Sequence, residues 1–430
     1  MTEKGLLQIM EYNYGNLIKV ERMRKNMKQS VLARGVCSVS YLSKIENNQT
    51  SASEEVLELL FKRLDIDAPL YVDLSEQVQK IKIDMRELLK EAILTRNDRL
   101  LLPKLLKYKD NPVVNQTKEL YITLMITLAR FGLMPNGNPQ HVIELGWLEN
   151  QFDFDNTLRY KLLKCLYIHH FQSEEREHAL KLLEEVDESL PNSHIPDWEV
   201  ADMRYIMGAI YIKYKDYLQV IEHTRFALSY FQDHFYIERI VECHLLIGVA
   251  YKRRKRYLDA LSHYEKASKI AQKTSLKDYN GMLFNNMGDI YFLIGDQEKA
   301  LKYFLESFEY KVDIRSKLYS VMSLLEVNSE NQNIKGVIEW LNIGYELMEK
   351  INNSEEFTHH FNIYKYEFVE PDKGKLITSL KEAVHYFETH DENYTNKYAL
   401  WLARELREDG KYKLATEYYE KTVAIMSRWE

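Results

Sequence analysis

Helix breakers are scarce in this chain, with 8 prolines and 15 glycines in 430 residues. That scarcity, beside abundant Leu, Lys, Glu and 31 tyrosines, predicts long helices with aromatic packing between them. Cysteine is rarer still. Cys37, Cys165 and Cys243 lie far apart with no CxxC pair, which excludes a disulfide framework and predicts free thiols, mostly buried, in a reducing compartment. No window approaches the roughly 18 apolar residues of a membrane-spanning helix. Met1 to Met10 lack the basic-then-apolar pattern of a secretory signal, so a cytoplasmic protein with no membrane partner is expected. The net charge of −7 excludes a globally basic nucleic-acid coat but permits one small basic domain. At 430 residues, 45% hydrophobic and 29% charged, the chain is foldable and too long for one ordinary core.

Catalytic signatures are also missing: there is no HExxH, GxSxG, Walker loop or GxGxxG. The pairs His169-His170 and His359-His360 are adjacent, which on a helix splays the rings about 100° apart and makes poor bidentate ligands. They read as surface or packing residues. The expectation is a binding protein rather than an enzyme, with no cofactor and no metal.

Tyr14 to Asp67 divides into four short helices. The first covers about Tyr14 to Lys25 and stops at Asn26. The second opens near Lys28-Gln29 and ends at Gly35. The third is capped by Ser38 and runs to Asn47-Asn48, and the fourth is capped by Ser53. A polar second helix after a tight turn is the arrangement that lays a helix in the major groove of double-stranded DNA. From Lys19 to Glu46 seven basic residues (Lys19, Arg22, Arg24, Lys25, Lys28, Arg34, Lys44) face two acids, Glu21 and Glu46. A local excess of five positive charges on an acidic chain is the footprint of a phosphate-contacting surface. Val36, Leu42 and Ile45 are expected in the core. The strings Met27-Lys28-Gln29, Leu32-Ala33 and Tyr41-Leu42-Ser43-Lys44-Ile45-Glu46-Asn47 resemble the Xre/Cro-type helix-turn-helix family. That resemblance implies that Gln29 meets a phosphate, that Ser38, Val39, Ser40, Tyr41 and Lys44 face base edges or backbone, and that Arg22 and Glu46 form an internal ion pair. Glu21 departs from the family's apolar residue, and the turn from Gly35 to Val39 is short.

Beyond residue 70 the chain repeats. Segments beginning at Met207, Ile247 and Met287 align without gaps and place Gly208, Gly248 and Gly288 forty residues apart. A tyrosine follows each glycine (Tyr211, Tyr251, Tyr291), then a first small or β-branched residue (Val220, Ala260, Ala300), then a second small one (Ala227, Ala267, Ser307). The glycine lets helix A approach helix B, the later small residue lets helix B receive the next repeat, and the tyrosines fill gaps. One unit cannot bury its own apolar face, so stacking is obligatory. The pattern resembles the tetratricopeptide repeat, lengthened beyond its usual 34 or so residues. A fourth copy carries Ala403, Ala415 and Thr422. Weaker copies fit Leu325 to Gly344, Tyr167 to Val186 and the helices near 115–135 and 359–390. Seven to nine helix pairs are expected. The fold class is therefore all-α, with residues 1–70 a helix-turn-helix domain, 71–110 linker helices, and 111–430 a right-handed tetratricopeptide-repeat superhelix for peptide binding and oligomerisation.

In such a superhelix the A helices line the inner wall. The register turns inward Met282, Asn285, Asp289 and Phe292, with Glu242, Leu245, Val249 and Lys252 one repeat earlier. Asp202, Tyr205, Ala209 and Ile212 precede these, and Lys397, Leu400, Arg404 and Arg407 come last. An amide both donates and accepts, so Asn285 or its neighbour Asn286 can clamp the backbone of an extended peptide. Basic residues can hold its carboxylates. Asn285, Asn286, Asp289, Lys252, Tyr205 and Arg404 are the candidate peptide contacts; Lys397 and Arg407 read instead as solvated surface.

A helix-turn-helix fused to elongated tetratricopeptide repeats resembles the peptide-responsive quorum-sensing regulators of Gram-positive bacteria, the family of Rap, NprR, PlcR and PrgX. The array length and the string GVCSVSYLSKIENN bring the chain nearest to the NprR branch. The resemblance implies a cytoplasmic homodimer or higher oligomer. A short imported signalling peptide would dock in the repeats and change the spacing of two heads on an operator. It also implies a second activity without peptide, holding a sporulation phosphorelay response regulator as Rap proteins do. Phage lysis–lysogeny regulators of the arbitrium type share the architecture.

Overall fold

Two serines open helices where the sequence places them. The Ser38 hydroxyl accepts the Tyr41 amide at 3.1 Å and the Ser53 hydroxyl accepts that of Val56 at 3.4 Å, each satisfying a donor that the first turn of a helix leaves unpaired. The structure, a computed structural model, describes residues 14–67, 77–96, 98–133, 138–172, 175–352 and 354–427. The head comprises α1 (Gly15–Arg24), α2 (Gln29–Ala33), α3 (Val39–Glu46) and α4 (Glu54–Leu64). Asn26, Gly35 and Asn48 follow the first three helices with φ of 51°, 71° and 53°, the left-handed backbone that stops a helix and that Gly and Asn tolerate best. Leu42, Ile45, Leu57, Leu60 and Leu64 are buried, as is Tyr14, edge-on to Phe61; Val36 is only half-buried.

One ion pair braces the head. Arg22 donates Nε to Glu46 Oε1 at 2.6 Å and Nη2 to Oε2 at 2.8 Å, and its Nη1 reaches the Met27 carbonyl at 2.8 Å. Glu46 is fully buried, and Gln29 Nε2 donates to the same carboxylate at 2.7 Å. The clamp ties the ends of α1, α2 and α3 together through one charge that cannot reach water.

Two compact units divide the chain, Met1–Arg239 and Ile240–Glu430. In the first, the head is followed by α5 (Gln77–Thr95), α6 (Asp98–Leu106), α7 (Pro112–Gln116), α8 (Lys118–Gly132), α9 (Gln140–Gly146), α10 (Phe154–Phe171), α11 (Arg176–Ser189), α12 (Asp197–Lys213) and α13 (Tyr217–Asp233). The second holds most of α14 (Ile237–Arg253), then α15 (Tyr257–Lys273), α16 (Tyr279–Leu293), α17 (Gln297–Tyr310), α18 (Ile314–Glu330) and α19 (Ile334–Met348). It ends with α20 (Glu355–Tyr364), α21 (Lys373–Phe387), α22 (Glu392–Glu408) and α23 (Tyr412–Met426). No strand occurs among the described residues, and none of their helices is long and apolar enough to cross a membrane.

From α8 onward the described helices form eight consecutive pairs. A Cβ at Gly288 would lie 2.6 Å from Cδ1 and Cε1 of Phe304 on α17; Gly208 and Gly248 are closed in the same way by Thr224 and by the Tyr264 ring. The residues at both later small positions are buried in all four clear copies. Tyr211 stacks on His223 and Tyr291 on Tyr303 with centroids 5.5 and 5.4 Å apart, and Tyr251 leans on His263 at 5.6 Å. The second ring in each pair, His223, His263 or Tyr303, comes from one helix-B register. The weaker copy ending at Gly344 differs: a Cβ there would meet Phe361 of α20, in the following pair. A wide turn the sequence does not announce, Lys365–Val369, follows α20 and closes with the Glu370 amide on the Lys365 carbonyl at 2.8 Å.

Gly288→Val is expected to lower unfolding stability by about 1–3 kcal/mol through overpacking against Phe304. Gly374→Ala, in the open first turn of α21, should be neutral or stabilise by about 0.5–1 kcal/mol; denaturant titration of the two variants separates these outcomes. Arg22→Met strands the buried Glu46 charge and should cost about 3–5 kcal/mol, much of it recovered in the double variant Arg22→Met/Glu46→Met.

Candidate DNA-binding and peptide-binding surfaces

Most of the basic excess in the head is spent internally. Arg22 serves Glu46. Arg24 forms a two-point pair with Glu144 of α9, Nε–Oε1 at 2.5 Å and Nη2–Oε2 at 2.7 Å, and also pairs with Glu21. Lys25 pairs with Asp65 at 2.9 Å. Lys19 donates to Asn47 Oδ1 at 3.2 Å, and burial depresses its ammonium below the ordinary lysine range, Glu46 opposing and Arg22 adding to the fall. Lys28, Arg34 and Lys44 remain exposed. The charge count of the sequence therefore overstates the free cationic surface: Lys19, Arg22 and Arg24 are held by internal partners, and the exposed Lys25 is paired at the surface.

The exposed face of α3 coincides with the expected reading surface. Ser38, Val39, Ser40 and Lys44 are exposed. Tyr41 is half-buried, and its hydroxyl donates to the Ser51 carbonyl at 3.0 Å, so only its ring edge is free for contact. Gln29 has turned its amide nitrogen to Glu46; only its carbonyl oxygen or a released amide could serve outside. Glu21, polar where the family is apolar, sits half-exposed as part of the Arg24 cluster.

That cluster latches the head to the repeats within the first unit. Glu144 is fully buried. Burial alone would raise its carboxyl, yet hydrogen bonds from His141, Arg24 and Gln140 hold it down at about 2. Beside it Asn48 donates to Gln151 Oε1 at 2.8 Å, and Gln151 donates back to the Glu46 carbonyl at 3.2 Å. The latch therefore ends on the residue that braces the head. A cleft of about 430 Å3 runs alongside, lined by Leu17, Arg24, Asp65, Asn115, Tyr121 and His141.

In the second unit one face of the A helices stays half-exposed at repeat-equivalent places: Leu245, Val249 and Lys252 on α14, Asn285, Asn286 and Asp289 on α16. The structure brings four of the six candidate peptide contacts together there. Lys252 Nζ reaches Asn286 Oδ1 and Asp289 Oδ2, each at 2.8 Å, while Asn286 Nδ2 donates to the Met282 carbonyl at 3.0 Å. Asn285 Oδ1 accepts from Lys311 Nζ at 3.1 Å and lies 3.4 Å from Ser307 Oγ. Lys311 is a member of this surface that the inward register does not include, because it follows helix B rather than lying on helix A. Arg404 lies apart, exposed beside a cavity of about 540 Å3 with Glu326, Tyr364, Lys397, Trp401 and Glu408. Lys397 is not the solvated residue expected: it pairs with Glu326 at 2.8 Å. Tyr205, in the first unit, lies against the guanidinium groups of Arg239 and Arg96 at 4.3 and 5.7 Å.

Of the two histidine pairs, His360 is buried, His169 and His359 are half-buried, and His170 is exposed. Burial, then His170 and Lys213, lower His169 to about 4. His360 is fully buried against the Tyr398 hydroxyl. No group of three or more His, Cys, Asp or Glu that could hold a metal ion occurs among the described residues.

Comparison with known proteins agrees with this anatomy. A helix-turn-helix family model matches residues 18–70, and a tetratricopeptide-repeat model matches 241–311. The chain is 25% identical over 404 residues to the transcriptional activator NprA of Geobacillus stearothermophilus, covering 92% of this chain and 98% of that protein. The apo form of the quorum sensor NprR from B. thuringiensis superposes with a TM-score of 0.67 at 17% identity, over 82% of this chain and all of NprR. NprR in complex with its cognate peptide NprX gives 0.54 at 17% identity, over 83% of this chain and 100% of that one. In domain composition and fold the chain is thus similar to the Rap, NprR and PlcR group of proteins, which combine a helix-turn-helix with tetratricopeptide-like repeats.

Proposed function

We propose that this chain is a cytoplasmic transcription regulator, a homodimer whose heads bind a double-stranded DNA operator through α3 and whose repeats bind a short signalling peptide. The observation that carries the reading is the latch: one protein joins a helix-turn-helix with an exposed α3 face to repeats bearing an amide- and charge-lined face. Arg24–Glu144 and Asn48–Gln151 fasten the head to the first repeats. Half-sites on DNA must match head separation, so a rearrangement of the repeats that shifts the heads alters operator affinity. The NprR–NprX complex supports a peptide as the ligand. Ser38, Val39, Ser40 and Lys44 are the proposed DNA contacts, with Gln29 and Tyr41 second to them because internal bonds hold their polar groups. Lys252, Asn285, Asn286 and Asp289 are the proposed peptide contacts; Tyr205 and Arg404 extend the set in separate places. A Rap-like scaffold that holds a response regulator is the competing reading. Removing residues 1–70 abolishes the output of a transcription regulator and spares that of a scaffold.

Lys44→Ala should weaken operator binding in a shift assay and reduce the slope of log K against log salt by about one. Unchanged affinity and slope would remove α3 from the DNA interface. Glu144→Gln should speed hydrogen exchange in α1 and shrink the peptide-induced change in operator affinity while peptide affinity stays level; an unaltered response would show that the latch carries no signal.

A further inference from the structure

The third clear repeat breaks the apolar pattern of the two before it. At the register of Lys311 the earlier repeats carry Phe231 and Ala271, both fully buried. At that of Gly281 they carry Ala201 and Val241, and at that of Ser307 they carry Ala227 and Ala267. The three changes occur together and fit one another. A Cβ at Gly281 would lie 2.7 Å from Lys311 Cγ, so glycine clears a path for the lysine stem across α16. Ser307 donates to the Gly281 carbonyl at 2.7 Å and lies 2.9 Å from Ser320 Oγ, lining that path with hydroxyls. Lys311 Nζ ends on Ser320 Oγ at 2.8 Å and Asn285 Oδ1 at 3.1 Å.

Both partners are neutral. No carboxylate lies within ion-pair distance of Lys311 among the described residues, and Asp289, the nearest acid to act on it, is already paired with Lys252. Burial lowers the Lys311 ammonium to about 8, Asp289 only partly opposing. A half-buried cation without a counter-ion destabilises a packed helix junction, so packing alone does not account for it. Its orientation does. An ammonium can only donate, so Lys311 fixes Asn285 with its oxygen inward and its Nδ2 donor outward. The ammonium and the amide N–H then present adjacent donors on the same half-exposed face.

We propose that Lys311 and Asn285, in the cradle made by Gly281, Ser307 and Ser320, form a carboxylate-binding subsite that recognises a side-chain or C-terminal carboxylate of the bound peptide. The inference rests on the peptide-binding reading above and adds the residue that selects the ligand's charge. Charge-assisted hydrogen bonds to a carboxylate contribute about 1.5–3 kcal/mol, which corresponds to roughly ten- to a hundred-fold in affinity.

The test uses the full chain and three heptapeptide libraries. One has a free C-terminus and no Asp or Glu; one has an amidated C-terminus and a single Glu at varied positions; one is amidated with neither. Peptides that co-elute with the protein are counted by mass spectrometry. Wild type should retain members of the first or second library about ten-fold or more over the third, and the library favoured tells which carboxylate is bound. Lys311→Met should abolish that preference and unfold at an equal or higher temperature, since it restores an apolar residue at this register. Lys311→Arg should keep the preference. Equal retention of all three libraries by wild type overturns the subsite while leaving peptide binding intact. So does a Lys311→Met variant that loses stability and keeps its preference, because the lysine is then a packing element. Retention of nothing from any library overturns the subsite together with the reading on which it rests.

Discussion

A pair of helices cannot hide its own apolar face, and every other feature of the repeats follows from how this chain meets that constraint. Gly208, Gly248 and Gly288 remove the side chain where helix A crosses helix B, so that a hydroxyl or an aromatic ring fills the space instead. Close approach fixes rotation as well as distance. Once a glycine edge faces the partner helix, the 3.6-residue period decides which residues point at the neighbouring pair and which point at neither. Leu245, Val249, Asn285, Asn286 and Asp289 fall in the last group and remain half-exposed. The proposed ligand face is thus a geometric remainder of the packing, and its chemistry is free to vary because it carries little of the stability.

The head obeys a different constraint. Its apolar core is small, and a buried ion pair is added to it. Arg22–Glu46 joins α1 to α3, and the same carboxylate receives Gln29 of α2. A buried pair contributes less net stability than its short contacts suggest, since desolvation offsets much of the attraction. It does specify geometry, because only one arrangement satisfies every donor. Glu144 extends the principle outward: three hydrogen bonds keep it ionised at 0% exposure, and one of them comes from the head. The head is therefore held by directional polar contacts that a change in the repeats can strain, whereas an oily interface would slide.

The four head helices, their Ser caps, the left-handed Asn and Gly stops and the forty-residue register were legible in the sequence because each depends on local chemistry or on strict recurrence. The Arg22–Glu46 pair was legible only through family resemblance. The rest depended on contacts between distant segments. Arg24, Lys19 and Lys25 look like phosphate ligands to a charge count, yet their partners are Glu144, Asn47 and Asp65. Lys397 looks solvated until Glu326 is placed beside it. A count of charges cannot tell a surface cation from a cross-brace, because the difference lies in a distant partner, 120 residues away for Arg24.

Lys311 illustrates the complementary failure. Alignment of the repeats contains its signal in plain sight: Phe231 and Ala271 at one register, then a lysine. Reading only the inward face of helix A passes over it, since the residue follows helix B and reaches Asn285 through a gap that Gly281 opens. Repeats of one architecture differ in sequence mostly where solvent tolerates difference. A departure at a position buried in both preceding copies, matched by two compensating small residues, is of another kind. Stability alone favours the apolar residue there. A cation maintained at that place against its desolvation is accounted for by something that arrives from outside to neutralise it.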